Sequence, residues 1–202
     1  MADEVELKFI VKDYRKIVQK ILSMSKFLSS AHELTVMYDN ADKSLFQEDA
    51  RLRLRKIINV KNKIERCELS YKKPKTREGV KIEEEYEASV SSFDEMEIIL
   101  EKIGFSKVSS YERIRDTFEK DDCKITVDSF SFGDLVEIEG KLEKIKKISQ
   151  ELGFNLKENT TKSCDDIYAD ICGEKGEEVN DHILFEKDFL SQKIQQRSFL
   201  IA

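Results

Sequence analysis

A chain of 202 residues is long enough to enclose a substantial core and suits one domain with, at most, a small appendage. It is 40% hydrophobic and 38% charged, well above the usual charged share, yet 35 basic and 41 acidic side chains nearly cancel to a net charge of −6. That balance excludes a general nucleic-acid binder, which shows a one-sided basic excess, and the sequence has no apolar run of membrane-spanning length.

The chain opens on Glu4-Val5-Glu6-Leu7-Lys8, where charge and apolar character alternate. In a strand, neighbours point to opposite faces, so Glu4, Glu6 and Lys8 share one side at roughly 6.7 Å spacing, and Val5, Leu7 and Phe9 share the other. Asp13 is placed to cap a helix with Ile17, Val18, Ile21 and Leu22 at helical spacing. Residues 29–39 read as a strand running into the turn Asp39-Asn40-Ala41-Asp42. Ala50-Arg51-Leu52-Arg53-Leu54-Arg55 repeats the alternation with three arginines on one face. A partner strand over 64–73 leads to Pro74 and a polar turn at 75–79, after which Lys81, Glu83, Glu85 and Glu87 share one register.

Ser92 and Glu95 match a capping box opening a helix whose expected buried stripe is Met96, Ile99, Leu100 and Ile103, stopped by Gly104. Strands are expected at 111–118, with Arg113 and Arg115; at 124–128, with Lys124, Thr126 and Asp128; and at 135–139, with Glu137 and Glu139. A helix with Leu142, Ile145, Ile148 and Leu152 ends at Gly153-Phe154, echoing the earlier helix-Gly-Phe unit. Residues 163–172 read as a short helix, and Gly173 to Asn180 as a polar linker. From Asp181 the tail reads as one amphipathic helix with Phe185, Phe189 and Ile194 among its apolar positions. Cys67, Cys123, Cys164 and Cys172 contain no CxxC pair, and His32 and His182 are the only histidines, so a structural zinc site lacks its ligand spacing. With no signal-peptide pattern, the expectation is a reduced, cytoplasmic protein whose cysteines pack.

About eight strands with helices between them predict an α+β fold, with the strands closed into a barrel. If the helices cover the apolar faces, the charged registers point inward. Burying so many dry charges is prohibitive, at an idealised cost of about 20 kcal/mol each. The interior must therefore be wet and mutually neutralised. Grouped carboxylates suit a hard divalent cation such as Mg²⁺ or Mn²⁺, and grouped arginines suit phosphate. Together they point to a metal-bound polyphosphate.

The same residues resemble the CYTH, or triphosphate tunnel metalloenzyme, superfamily. Glu4 to Lys8 looks like its ExExK signature. The likeness continues through Tyr38-Asp39, Arg51 to Arg55, Tyr71 to Pro74, Glu83 to Glu87, Tyr111 to Arg115, Ile125 to Asp128, Gly133 to Glu139 and Thr161 to Ile167. The resemblance implies an eight-stranded antiparallel tunnel over residues 1–172, followed by a linker and tail over 173–202 with no recognised counterpart. It implies that Glu4, Glu6, Glu137 and Glu139 hold divalent metal, that Arg53, Arg55, Lys72, Arg113 and Arg115 cradle the triphosphate, and that Lys8, Glu6 and Glu139 act at the reacting group. Arg51, Lys81, Glu83, Glu85, Lys124 and Asp128 complete the candidate set, and either Arg51/Arg53 or Arg53/Arg55 matches the family pair. Cys164 stands where the family often has tyrosine.

The superfamily includes inorganic, thiamine and RNA triphosphatases and class IV adenylate cyclases. The shared motifs do not separate them, because each positions a metal-bound triphosphate. Hydrolysis of tripolyphosphate, ATP or thiamine triphosphate is the favoured reading because it needs only the tunnel. Cyclisation of ATP is the alternative, and a non-catalytic polyphosphate- or nucleotide-binding module is a third. The apolar tail predicts docking, either over a tunnel mouth or, as favoured, between two copies of the chain.

Overall fold

Strand β1 (Val5–Val11) keeps the alternation: Phe9 is buried and packs with Val5 and Leu7 on the face opposite Lys8. Asp13 ends the extended stretch by accepting the amide of Lys16, capping helix α1 (Tyr14–Leu22), which buries Ile17, Val18 and Ile21. After β2 (Lys26–Asn40), the Asp39 carboxylate accepts the amides of Leu45 and Phe46 and ties the short helix α2 (Ser44–Gln47) to the strand end. The chain continues through β3 (Arg51–Asn59), β4 (Glu65–Thr76), β5 (Ile82–Val90), α3 (Phe93–Lys102), β6 (Phe105–Lys120), β7 (Cys123–Ser129), β8 (Asp134–Gly140) and α4 (Leu142–Leu152). It closes with α5 (Cys164–Lys175), β9 (His182–Ile183), α6 (Lys187–Gln195) and α7 (Ser198–Ile201). This computed structural model describes residues 5–76 and 82–201, so Glu4 and Lys81 lie outside the described residues, as does the side chain of Glu83.

The class is α+β. Eight strands form one antiparallel sheet in the order β1-β8-β7-β6-β2-β3-β4-β5, and β9 adds to β6 in parallel. Among the described residues nothing pairs β1 with β5, so the path is open where a closed barrel was expected. The edge of β1 meets later chain instead: the Lys8 amide donates to Asn159 Oδ1 (2.8 Å), and the Thr160 amide donates to the Lys8 carbonyl (2.9 Å). The sheet still bends enough for Arg55 on β3 to reach Tyr111 on β6 across the intervening β2, at 3.4 Å.

One face of the sheet is apolar and covered by helices. Phe9, Phe118, Ile125, Val127, Val136 and Ile138 pack under α1 and α4, and Val36, Leu54 and Cys67 pack under α3. Gly153, at φ 86°, takes the left-handed position that ends α4. The α3 stripe is phased differently from the expectation. Phe93 and Leu100 are buried with Met96 beside them, whereas Ile99 and Ile103 are 48% and 64% exposed. Phe93, at the first helical position, sits under Lys56 and sets the rotation of the whole helix. Helix α5 also differs, running through Gly173 to end at Gly176. Its Ile167, Tyr168 and Ile171 pack with Met37, Tyr111 and Leu135 at one end of the other face. Cys67, Cys123 and Cys172 are buried and all four cysteines are free thiols, as packing residues should be.

The tail is not one helix. It is a strand followed by two short helices, docked on the helix-covered face of its own chain. The Phe185 amide donates to Glu112, Lys193 reaches Asp134 at 3.2 Å, and the Arg197 guanidinium grips Asp116 at 3.0–3.1 Å. Tyr14 and Ser129 complete that cluster, with Tyr14 donating to Asp116 and Arg197 donating to Ser129. Both partners of the Arg197–Asp116 pair are fully excluded from solvent. No helix among the described residues is long and apolar enough to cross a membrane.

Candidate functional site

Strand register assembles the charged face. Lys8 stands opposite Glu137 and Glu6 opposite Glu139; Arg115 stands opposite Asp128 and Arg113 opposite Glu33; Arg51 stands opposite Lys72, and Lys72 opposite Glu85. Two-residue periodicity then sets Arg51, Arg53 and Arg55 on one face, so the choice between the two arginine pairs is one of depth. Arg53 donates to Ser70 Oγ (2.5 Å), and Arg55, which is buried, donates to Thr35 Oγ1 (3.0 Å) and Tyr111 Oη.

The face has two electrostatic halves. On β1, β8, β7, β6 and β2 the charges neutralise one another. Arg115 forks onto Asp128 and reaches Glu137 at 2.8 Å. Arg113 donates Nε and Nη2 to Glu33 (2.8 and 2.7 Å) and Nη1 to Asp128 (3.2 Å). The Lys8 ammonium lies 3.2 Å from Glu137 and 3.4 Å from Glu6, and donates to the carbonyl of Lys162. Burial alone would raise the carboxyl pKa values here, but Arg113 and Arg55 hold Glu33 down at about 2, and Arg115 and Lys8 do the same for Glu137. Burial would likewise lower Lys8, yet Glu137 and Glu6 outweigh it and raise its pKa, so Lys8 stays a cation at neutral pH and is no general base.

On β3 and β4 the balance tips positive. Burial first, then the neighbouring Arg55, brings Arg53 down to about 10, and burial and Arg53 together lower Lys72. Both lean on one partly exposed carboxylate, Glu85, at 3.4 and 2.8 Å. Crowded cations that depress one another are the electrostatic form of a seat for an anion.

Most of the expected residues are thereby brought together. Glu139 and Lys124 pair at 3.1 Å at the rim of the face. Glu6 and Glu139 are directly opposed and about one-third exposed, a like-charge pairing that two adjacent strands tolerate best with a cation between them. Their oxygen donors suit Mg²⁺ or Mn²⁺. Glu137 is engaged by Arg115 and Lys8, and among the described residues no three carboxylates converge as a ready-made cage. Glu6 and Glu139 are ion-paired with Lys8 and Lys124, and their oxygens are of the hard type a divalent ion takes.

The sequence reading passed over Glu33, Thr35, Ser70 and Tyr111, all at the heart of the face. Tyr111 was legible as the residue two before Arg113 in one register. Glu33 and Thr35 show the same spacing, but with no basic residue in their register to advertise it. A cavity of about 380 Å³ lies on the opposite face, among Leu34, Phe93, Lys107 and His182, away from this charge cluster.

The CYTH domain family profile matches residues 2–170. A Methanocaldococcus jannaschii protein named "putative adenylate cyclase" is 26% identical over 159 residues, covering 76% of this chain and 87% of its own length. The structure of the PH1819 protein of Pyrococcus horikoshii superposes with a TM-score of 0.71 at 25% identity, over 85% of this chain and 99% of that one. A Hippeastrum protein, described as a "putative adenylyl cyclase" that reveals a dominant triphosphatase activity, superposes at TM-score 0.61 and 18% identity, over 87% of this chain and 97% of that one. With the family profile spanning most of its length, the chain belongs to the CYTH domain family.

Proposed function

We propose that the protein is a divalent-metal-dependent triphosphatase that binds a triphosphate chain along its charged face and releases the terminal phosphate. The observation that carries this reading is the crowding of Arg53, Arg55 and Lys72, in which Arg53 and Lys72 share the single carboxylate of Glu85, beside carboxylates that suit a metal ion. In this reading those three cations hold the phosphate chain, and the sheet folds round it as a tunnel. Glu6 and Glu139 hold Mg²⁺ or Mn²⁺, which when bound neutralises phosphate charge and lowers the pKa of attacking water. Lys8, fixed by Glu137 and the Lys162 carbonyl, stays protonated and meets the negative charge of the reacting group. Glu137 keeps Arg115 and Lys8 in place.

A second reading, cyclisation of ATP to cyclic AMP and pyrophosphate, draws support from the name of the Methanocaldococcus relative. Incubating purified protein with tripolyphosphate, thiamine triphosphate or ATP, and resolving phosphate, pyrophosphate and cyclic AMP, separates the two. Orthophosphate release that stops in excess chelator is expected. Cyclic AMP with equimolar pyrophosphate would replace the hydrolase with a cyclase, and binding with no turnover would leave a binding module.

A further inference from the structure

Glu33 lies at the centre of the charged face, yet no step assigned above uses it. Its side chain is 6% exposed and that of Arg113 is 8% exposed. Its Oε2 takes both Nε and Nη2 of Arg113, the edge of the guanidinium that also grips phosphate. It also lies 3.6 Å from Arg55 Nε. Nη1 of Arg113 goes to Asp128, so all three guanidinium nitrogens are engaged by carboxylates. Arg55, by contrast, donates its hydrogen bonds to the neutral oxygens of Thr35 and Tyr111, with Glu33 farther off, and Arg53 its shorter one to Ser70. A carboxylate oxygen held between two guanidinium donors occupies the place an anionic phosphate oxygen would take.

We propose that Glu33 is a built-in counter-anion, filling the phosphate fork of Arg113 until a polyphosphate displaces it and returning as the product leaves. The inference rests on the triphosphate reading and deepens it. Glu33 acts through Arg113 and Arg55 and is a positioning residue. Its function is to keep an empty cationic site from collapsing or from clinging to product. Two physical consequences follow. Without ligand, the carboxylate neutralises buried guanidiniums that would otherwise be costly to leave unpaired. With ligand, its charge opposes the phosphates, so affinity is lower than the cations alone would give.

The test is Glu33→Gln beside Glu33→Asp, read by calorimetric binding of tripolyphosphate without added metal, by thermal melting with and without it, and by kcat and KM. Glu33→Gln should melt lower than wild type when empty yet bind tripolyphosphate about tenfold or more tightly, since a repelling charge is gone. It should regain its melting temperature with ligand more than wild type does. KM and kcat should both fall, with stronger inhibition by phosphate products. Glu33→Asp, which keeps the charge, should stay close to wild type in affinity. Weaker or unchanged binding by Glu33→Gln, while wild type binds normally, overturns the counter-anion and leaves the triphosphate reading standing. Wild type that binds no tripolyphosphate overturns both. If Glu33→Gln does not fold without ligand, refolding it in tripolyphosphate decides: recovery supports the proposal, and failure to recover overturns it.

Discussion

Arg53 shows how single side chains on the charged face divide the work. It is held by a hydroxyl and one partly exposed carboxylate, and its own charge is strained by Arg55, so a bound phosphate relieves it more than it does Arg115. Arg53→Ala should lose a charge-assisted contact, lowering kcat/KM by about 1.5–3 kcal/mol with little loss of stability. Lys147→Ala, on the exposed flank of α4, should change either quantity by less than about 0.5 kcal/mol. Steady-state kinetics and urea melts of both variants make the comparison. Glu139→Gln should abolish turnover while leaving the fold intact, because it removes one of two opposed carboxylates and with it their repulsion. Residues of this kind were legible because alternation repeats their chemistry in plain view, as in Glu6-Leu7-Lys8 and Arg53-Leu54-Arg55. Glu33 was not, because its meaning comes from Arg113, a partner 80 residues away.

Among the elements, the tail departs furthest from its sequence pattern. Its pattern read as one amphipathic helix, but it forms a strand and two short helices that bury Ile183 and Leu200 in the chain and add two cations four residues apart, Lys193 and Arg197. A helical wheel drawn on apolar residues cannot register a basic side chain that points inward. Breaking a fully buried ion pair from one side strands the other charge, so Arg197→Met should cost about 3–5 kcal/mol in urea denaturation. Combining it with Asp116→Asn should recover much of that loss, a coupling a double-mutant cycle would measure. Equal losses in the single and double variants would show that Asp116 does not depend on Arg197. The α3 stripe was misread for a related reason: Phe93 lies just inside the cap, and its seat beneath Lys56 outweighs the spacing of the residues after it.

For the whole molecule, buried carboxylates set the acid limit. Glu33 and Glu137 are held at about 2 in the fold, below the unfolded value of roughly 4.3 for glutamate. A depressed folded pKa adds stability at pH values above the unfolded pKa. That stability drains away as pH falls from about 5 towards 2, because the unfolded chain takes up protons first. Denaturation midpoints should therefore decline steeply over that window, and the decline should be shallower in Glu33→Gln. The α+β class, the antiparallel strands and the segregation of charge to one face were all legible, since each follows from two-residue periodicity. Whether the sheet closes was not, because that depends on what meets the edge of β1, and Asn159 and Thr160 meet it at Lys8. The docked tail also imposes an order of events during synthesis. Asp116 precedes Arg197 by 81 residues, so at translation speeds of roughly 5–20 residues per second the ribosome makes the carboxylate about 4–16 s before its guanidinium. Through that interval Asp116 has no Arg197 to meet it, so the cover over this part of the sheet can be completed only after the strands beneath it have been made.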